Sequence, residues 1–245
     1  MYMARGSNVC NMDQQSGIAA GTPAQPSIGY SYFFKGDSYW KYNSSAASAM
    51  SGYPMSISSW KGIPNSLDAT VPHYQDGVSI YFFKGDQYYK YNTATSTLND
   101  GYPKQYGNGT SNWPGVPANV DAAVSHVSDG KSVYFFKGDQ YWKYDMSAGA
   151  LYSGYPMGYG NGTSNWPGIP ESLDAAVPQW SDGKSVYFFK GSSYWKYDMS
   201  VGALNPGYPK NYGTGTGNFE GLPASLDAGV DRCGAFGPVE FGSRC

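Results

Sequence analysis

Short runs in which apolar and polar residues alternate are the main pattern along the chain. The runs 131–137 and 140–144 alternate with a period of two, which predicts β-strands. The pair Gly138–Asp139 lies between them and suits the positive φ of a tight hairpin turn. A third strand-like run, 121–127, is joined to the hairpin through the turn pair Asp129–Gly130. The pattern therefore predicts an antiparallel meander of three strands.

A stretch rich in glycine and proline follows this meander. It includes Gly154-Tyr-Pro156 and Trp166-Pro-Gly-Ile-Pro170, which break regular strand patterning. We expect a fourth, outer strand or a short helix in this stretch. The segment 106–110 (Tyr-Gly-Asn-Gly-Thr) and its equivalent 159–163 should form surface loops.

The same unit occurs four times along the chain. Tyr-Phe-Phe-Lys-Gly begins at Tyr32, Tyr81, Tyr134 and Tyr187, in steps of 49, 53 and 53 residues. Gly-Tyr-Pro recurs with the same steps, and an Asp-Ala pair recurs every 53 residues at Asp68, Asp121, Asp174 and Asp227. Sheets of about four strands repeated with a period of roughly 40–53 residues are typical of propeller blades.

The predicted fold is therefore all-β, a four-bladed β-propeller over residues 27–232, with tails at 1–26 and 233–245. Large aromatic side chains fall on both faces of each predicted sheet, as expected where both faces meet a neighbouring blade. We expect these aromatic rows to form the core between blades and not a ligand-stacking surface.

The first hairpin has no Asp-Ala strand before it, and the last Asp-Ala strand has no full hairpin after it. We expect residues 227–230 to supply the inner strand of the first blade, so that the C-terminal strand closes the ring. The alternative is that residues 18–21 occupy this place.

Composition and charge exclude several functional classes. Aromatic residues make up 17% of the 245 residues and charged residues 14%, with a net charge of −2, so we expect a packed core and no nucleic-acid partner. No apolar run is long enough for a membrane span. The compartment and the oligomeric state stay open, with secretion somewhat favoured over the cytoplasm and homodimer formation allowed.

Three cysteines, Cys10, Cys233 and Cys245, lie near the two ends of the chain. One disulfide bond tying the ends together would leave one thiol over, whereas the odd number also agrees with three reduced cysteines.

The sequence predicts no enzyme. It contains only two histidines, His73 and His126, and it lacks a glycine-rich phosphate loop, zinc-type spacing and a serine nucleophile elbow. Each histidine lies five residues after an Asp-Ala aspartate, where the later copies have Gln179 and Arg232. Such a ring near a channel mouth could contact a small ligand or ligate haem iron. Two polar residues at a strand end are the simpler interpretation.

The loops that end in Trp113 and Trp166 also cluster asparagine, threonine and tyrosine, which suit sugar hydroxyls and apolar sugar faces. They predict a lectin, although packing of the tryptophan under its loop explains the pattern equally well.

The repeated unit resembles the hemopexin repeat. The resemblance rests on Asp-Gly-Lys-Ser-Val-Tyr-Phe-Phe-Lys-Gly, Tyr-Trp-Lys-Tyr-Asp, Gly-Tyr-Pro and Trp-Pro-Gly-Ile-Pro-x-Ser-Leu-Asp-Ala-Ala, and covers about residues 27–230. The chain looks most like stand-alone four-repeat members such as legume seed albumins and related microbial proteins.

This resemblance implies a central channel that holds ions, with calcium expected and sodium and chloride as further candidates. It implies two rings of backbone carbonyls as ligands, contributed by Asp68, Asp121, Asp174 and Asp227 and by Thr70, Ala123, Ala176 and Gly229. Hard cations accept such oxygen ligands. The aspartate side chains would then hydrogen-bond to the backbone.

Together these observations predict a non-enzymatic binding protein for a small molecule of the haem or polyamine type. The alternatives are a carbohydrate-binding lectin and a storage or scaffold protein without a specific ligand.

Overall fold

The computed structural model describes residues 30–73, 76–160, 162–179 and 182–232, which form four antiparallel sheets arranged as propeller blades. Blade 1 contains β1 (Tyr30–Lys35), β2 (Ser38–Asn43), β3 (Ser48–Ala49), β4 (Met55–Ser56) and the 3-10 helix η1 (Ile57–Ser59). Blade 2 contains β5 (Ala69–His73), β6 (Ser79–Lys84), β7 (Gln87–Asn92), β8 (Thr97–Leu98) and β9 (Lys104–Gln105). Blade 3 contains β10 (Ala122–Ser125), β11 (Ser132–Lys137), β12 (Gln140–Asp145), β13 (Ala150–Leu151) and β14 (Met157–Gly158). Blade 4 contains β15 (Ala175–Gln179), β16 (Ser185–Lys190), β17 (Ser193–Asp198), β18 (Ala203–Leu204) and β19 (Lys210–Asn211), and β20 (Ala228–Arg232) ends the described chain.

Each blade has the predicted three-stranded meander. In blade 3 the strands pair in the order β10, β11, β12, with Phe135 opposite Trp142. The predicted outer strand is interrupted: β13 and β14 are two short pieces, and both pair with β12. Gly154-Tyr-Pro156 lies between them, and proline has no N–H to continue a ladder.

The C-terminal strand closes the ring, as predicted. Strand β20 pairs antiparallel with β1, so that Val230 lies opposite Tyr32 and Gly229 opposite Phe33. It occupies the edge of β1 that the alternative segment 18–21 would need. That segment, both predicted tails and the three cysteines (Cys10, Cys233 and Cys245) lie outside the described residues.

A closed series of phenylalanine contacts joins the blades. Each blade carries two adjacent phenylalanines whose rings point to opposite faces of its sheet, and all eight are at most 1% exposed. Ring centroids across the four interfaces are 5.4–5.7 Å apart with near-perpendicular planes, in the pairs Phe34–Phe82, Phe83–Phe135, Phe136–Phe188 and Phe189–Phe33. The aromatic rows thus form the core between blades, as the sequence predicted.

The glycine of each first hairpin turn links one blade to the next. Gly138 has a φ of +60°, a conformation that glycine adopts without strain. Its N–H donates to Asp121 Oδ2 at 2.7 Å, and its carbonyl accepts from the N–H of Ser172, on the segment that enters blade 4, at 2.8 Å. The same bonds recur around the ring in the sets Gly36 with Asp227 and Ser66, Gly85 with Asp68 and Asn119, and Gly191 with Asp174 and Ser225. The expectation that these aspartates bond to the backbone is confirmed.

The closing strand leaves no room for a larger residue at Gly229. A Cβ atom there would lie 2.5 Å from Val177 Cγ2 and 3.0 Å from Phe33 Cδ1. We expect Gly229→Ala to lower the free energy of unfolding by about 1–3 kcal/mol, because overpacking forces neighbouring side chains to shift. The melting temperature, measured by calorimetry, should fall by about 2–4 °C per kcal/mol.

Gly158→Ala is the matched control, since a Cβ atom there would meet its nearest neighbours only at 3.9 Å. Equal melting temperatures for the two variants would contradict the tight packing around Gly229.

Candidate functional site

Two equivalent grooves open between blades. Groove A lies between blades 2 and 3 and is lined by His73, Tyr81, Tyr88, Ser111, Asn112, Trp113, Tyr144 and Met146. Groove B lies between blades 3 and 4 and is lined by the residues 53 positions later in each case, which are His126, Tyr134, Tyr141, Ser164, Asn165, Trp166, Tyr197 and Met199. Tyr155 and Gly202 also line groove B.

The grooves are small. Their volumes are about 190 Å³ for groove A and 240 Å³ for groove B. Sites for drug-sized ligands usually measure about 300–1,000 Å³. Each groove is therefore smaller than the usual site for a drug-sized ligand.

The tryptophans form the inner wall of each groove. Trp113 is only 7% exposed and packs between the blades, with its ring centroid 5.3 Å from that of Tyr81 and 4.9 Å from that of Tyr144. Its φ of +49° is unusual for a bulky residue, and Trp166 has a φ of +52°. The interpretation that each tryptophan packs under its loop is therefore confirmed, because each ring is mainly core. Each ring also lines a groove, and its contact with a sugar stays a prediction.

The loop before each tryptophan presents an amide group. Asn112 Nδ2 donates to the carbonyl of Gln105 at 3.0 Å, which fixes the side chain, and Thr110 Oγ1 donates to the carbonyl of Asn112 at 2.8 Å. In groove B, Asn165 Nδ2 donates to the carbonyl of Gly158 at 3.0 Å in the same way. Each amide is thus held in place beside its groove by the bond from its Nδ2 group.

His73 is held by a carboxylate in groove A. Its Nδ1 lies 2.9 Å from Asp76 Oδ2, and Lys90 Nζ lies 2.9 Å from the same oxygen. Burial opposes ionisation of Asp76, but hydrogen bonds from His73 and Lys90 outweigh it and hold the pKa of this carboxyl well below its usual value. The charges of Asp76 and Lys90 therefore neutralise each other beside groove A.

His126 has a looser environment in groove B. Its Nδ1 is 3.9 Å from Asp129 Oδ2, and the N–H of Ser128 donates to it at 3.3 Å. Burial lowers the pKa of His126, Asp129 raises it, and the Lys143 ammonium lowers it again, for a net decrease from 6.5. The imidazole is therefore neutral near pH 7.

The two histidines do not share one site, since each lines a different groove. The structure instead brings each histidine together with a tryptophan loop, which the sequence interpretation treated as a separate feature. Sequence reasoning missed Tyr144, Met146 and their counterparts Tyr197 and Met199 as groove residues. The sequence did contain a signal for these residues. Histidine and methionine occur together only at the interfaces between blades 2 and 3 and between blades 3 and 4, whereas Ser44 and Thr93 take the methionine position at the other two interfaces.

The predicted ion channel lies where the four inner strands meet. Strands β5, β10, β15 and β20 each contact two of the others in ring order. The N–H of His126 donates to the carbonyl of Ser132 at 2.8 Å, so alternate residues of this segment bond to β11. The N–H of Asp121 also donates to β11, to the carbonyl of Phe136 at 2.8 Å, and the inward direction of the Asp121 and Ala123 carbonyls stays a prediction.

One predicted ligand already has a partner. Thr70 Oγ1 donates to the carbonyl of Gly229 at 2.8 Å, across two neighbouring inner strands and out of contact with water. This bond directs the Gly229 carbonyl towards the neighbouring inner strand β5. Burial raises the pKa of Asp174, and the Asp227 carboxylate raises it further, although the hydrogen bond from Gly191 and the charges of Lys190 and Lys35 act in the opposite direction.

The donor set fits a hard cation held by carbonyl oxygens and water. A carboxylate cage is not present, since the described ranges contain no cluster of three or more histidine, cysteine or acidic side chains with metal-ligand geometry. The eight carbonyls stay predicted ligands, with Gly229 shared with Thr70.

Comparison with known proteins identifies relatives. A family model described as Hemopexin matches residues 24–65, 73–118, 120–171 and 173–216. The chain is similar to stromelysin-1 of Equus caballus, with 32% identity over 127 residues, which are 52% of this chain and 25% of that protein. It is also similar to vitronectin of Sus scrofa, with 38% identity over 87 residues, which are 34% of this chain and 18% of that protein. The match thus spans about a quarter or less of these relatives.

Solved structures share the fold. The 2S albumin seed protein from Dolichos matches with a TM-score of 0.59 at 21% identity, covering 74% of this chain and 87% of that chain. A plant albumin from Cicer arietinum, described as showing hemagglutination, matches with a TM-score of 0.60 at 18% identity, covering 75% and 88%. Within the part of the chain that the structure describes, no helix is long and apolar enough to cross a membrane.

The environment of His126 can be tested by NMR titration of the two histidines. We expect the pKa of His126 to lie below 6.5. Lys143→Met should raise it, since a positive charge is removed, and Asp129→Asn should lower it. Because the neutral imidazole is favoured in the folded state, the stabilising contribution is complete above about pH 6.5 and is lost as the pH falls through the folded pKa.

His126→Gln should remove this part of the pH dependence of the unfolding free energy and also assign the resonance. A pKa above 6.5 in the wild type would contradict the buried, neutral imidazole.

Proposed function

The chain belongs to the hemopexin family, and on that premise we propose that it is a non-enzymatic binding protein that takes small saccharides in grooves A and B. The observation that carries this proposal is that the same eight residue types, at equivalent positions of successive repeats, line two neighbouring grooves. Each set combines aromatic rings with hydroxyl and amide groups. Such sets suit the apolar faces and the hydroxyls of a sugar.

The size and charge of the grooves favour a sugar over the other small molecules. Haem is large for volumes of about 190 and 240 Å³, and one histidine in each groove gives no paired ligation. A polyamine would need a free carboxylate, but Asp76 is already bonded to His73 and Lys90. A saccharide needs no counter-charge.

The two structural neighbours described above, with TM-scores of 0.59 and 0.60, are plant albumins, which agrees with a non-catalytic role. Hemagglutination is a property of the Cicer arietinum protein, and at 18% identity that likeness concerns the fold. It does suggest a direct assay. Secretion also agrees with the proposal, because vitronectin and stromelysins carry the same family of repeats outside cells.

The proposal predicts that obstructing a groove abolishes one binding site. Ser111 and Ser164 are exposed groove residues, so Ser111→Tyr and Ser164→Tyr should fill groove A and groove B without disturbing the core. We expect the number of sugar molecules bound per chain to fall from two to one in each single variant. The double variant should lose affinity by about tenfold or more.

The measurement is a glycan array followed by calorimetric titration with galactose, glucose, mannose and N-acetylglucosamine. Ser51→Tyr, at an exposed position in blade 1 away from both grooves, is the control. Hemin and spermine are titrated in parallel. An array without any bound glycan, or a double variant that binds like the wild type, would overturn the saccharide proposal.

We propose in addition that the channel holds a structural cation, with calcium the first candidate and sodium and chloride as further ions. The backbone carbonyls of Asp68, Asp121, Asp174 and Asp227 would hold it, with those of Thr70, Ala123, Ala176 and Gly229 forming the second ring. When bound, the cation would stabilise inner strands that otherwise direct a row of carbonyl dipoles at one another.

Calcium should therefore stabilise the protein. After treatment with EDTA, adding Ca²⁺ to about a hundred times its Kd should raise the unfolding free energy by about 2.7 kcal/mol, measured as a higher melting temperature. Mg²⁺ should do less, because it demands a tighter octahedral shell. A melting temperature that changes with neither Ca²⁺ nor Na⁺ would exclude a channel cation.

A further inference from the structure

One lysine beside groove B lacks the carboxylate partner that its counterparts in blades 2 and 4 have. Lys90 Nζ lies 2.9 Å from Asp76, and in blade 4 Lys196 Nζ lies 3.2 Å from Asp182. The equivalent lysine in blade 3 is Lys143, and its ammonium forms no ion pair or hydrogen bond with any residue that the structure describes. It is half-buried, where an unpaired charge is costly.

Tyr152 explains the difference. Lys143 Nζ lies over the ring of Tyr152, 4.6 Å from its centroid, and over the ring of Tyr134 at 5.5 Å. The Tyr152 hydroxyl donates to Asp145 Oδ2 at 3.2 Å, which anchors the ring. The other repeats have Met50, Asn99 and Asn205 at this position, so they lack the second ring. Cation–π contacts thus hold the ammonium away from the turn carboxylate.

The carboxylate that would pair with Lys143 has other partners. Asp129 Oδ1 accepts hydrogen bonds from the N–H groups of Lys131 and Ser132 at 3.0 and 2.8 Å. Its Oδ2 is the atom that lies 3.9 Å from His126. Asp129 therefore caps its turn without neutralising the lysine.

Lys143 lies directly behind the lining of groove B. The ring of Tyr134, over which it lies, lines the groove, and so does His126, whose pKa the ammonium affects. Groove A differs, because Asp76 there contacts both the histidine and the lysine. The two grooves therefore match in shape but differ in available positive charge.

We propose that groove B, unlike groove A, selects an acidic saccharide, with Lys143 as the partner of the sugar's carboxylate or sulfate group. This inference rests on the saccharide function proposed above. An ammonium is a compact point charge, so it can pair with either type of anion, whereas the neighbouring rings and the amide of Asn165 bind the rest of the sugar.

The test compares neutral and acidic forms of the same sugar by calorimetric titration. The probes are galactose, galacturonic acid and galactose 6-sulfate, with the glucose series in parallel, and Ser111→Tyr removes the contribution of groove A. In this background we expect the acidic form to bind about tenfold more tightly than the neutral form, because hydrogen bonds to charged groups are stronger. Comparing the uronic acid with the sulfate distinguishes the two sources of negative charge.

Lys143→Met should abolish this preference, so that the acidic and neutral forms bind with equal affinity. Lys90→Met is the matched control and should not affect the preference, because the Lys90 charge is neutralised by Asp76. Tyr152→Asn introduces the residue that blades 2 and 4 have and keeps the lysine, and it should also reduce the preference by letting Lys143 approach Asp129. Circular dichroism and melting temperatures verify that each variant is folded.

The outcomes separate the two proposals. If neutral and acidic sugars bind equally, or if Lys143→Met keeps the preference, the selectivity of groove B is wrong and the saccharide function stands. If no sugar of either series binds to the wild type, the saccharide function itself fails. A preference that about 0.5 M NaCl weakens, while neutral binding is unchanged, would support the ionic contact.

Discussion

The perpendicular contact between phenylalanines of adjacent blades is the interaction on which the rest of the structure depends. Each blade places one phenylalanine on either face of its sheet, so a blade can bury both rings only if it has a neighbour on both sides. A row of blades with two free ends would expose a ring at each end. The constraint is met only when the series closes, and the pairing of β20 with β1 achieves this.

The repeat spacing made most of this architecture predictable. The positions of Tyr-Phe-Phe-Lys-Gly define the hairpins, and the offset of Asp227 from the first hairpin predicts which strand closes the ring. The interruption of the outer strand was harder to predict from the sequence, since it depends on where Pro156 lies relative to strand β12. The grooves were not predictable as sites, because Tyr81 and Trp113 of groove A meet Tyr144 of the next blade only through the angle at which the two sheets face each other.

Repetition also explains how one scaffold can carry sites of different character. Grooves A and B inherit the same eight positions from successive repeats, so their shapes agree without separate selection of each residue. Their charges differ because a single substitution in the outer part of blade 3, at Tyr152, redirects a lysine. The inner strands around the propeller axis form a separate region. There Thr70 differs from the equivalent residues of the other three strands because its hydroxyl donates to the Gly229 carbonyl.

The closing pair of strands also determines how the molecule responds to tension. Tyr30, at the start of β1, lies directly opposite Arg232, at the end of β20, so the two chain ends leave the propeller side by side. A pull on both ends would load the hydrogen bonds between these strands one after another, as in a zipper, and not all together in shear. The ring should therefore open at blade 1 under a modest force, before any other blade gives way, with a rate set by the barrier to unfolding.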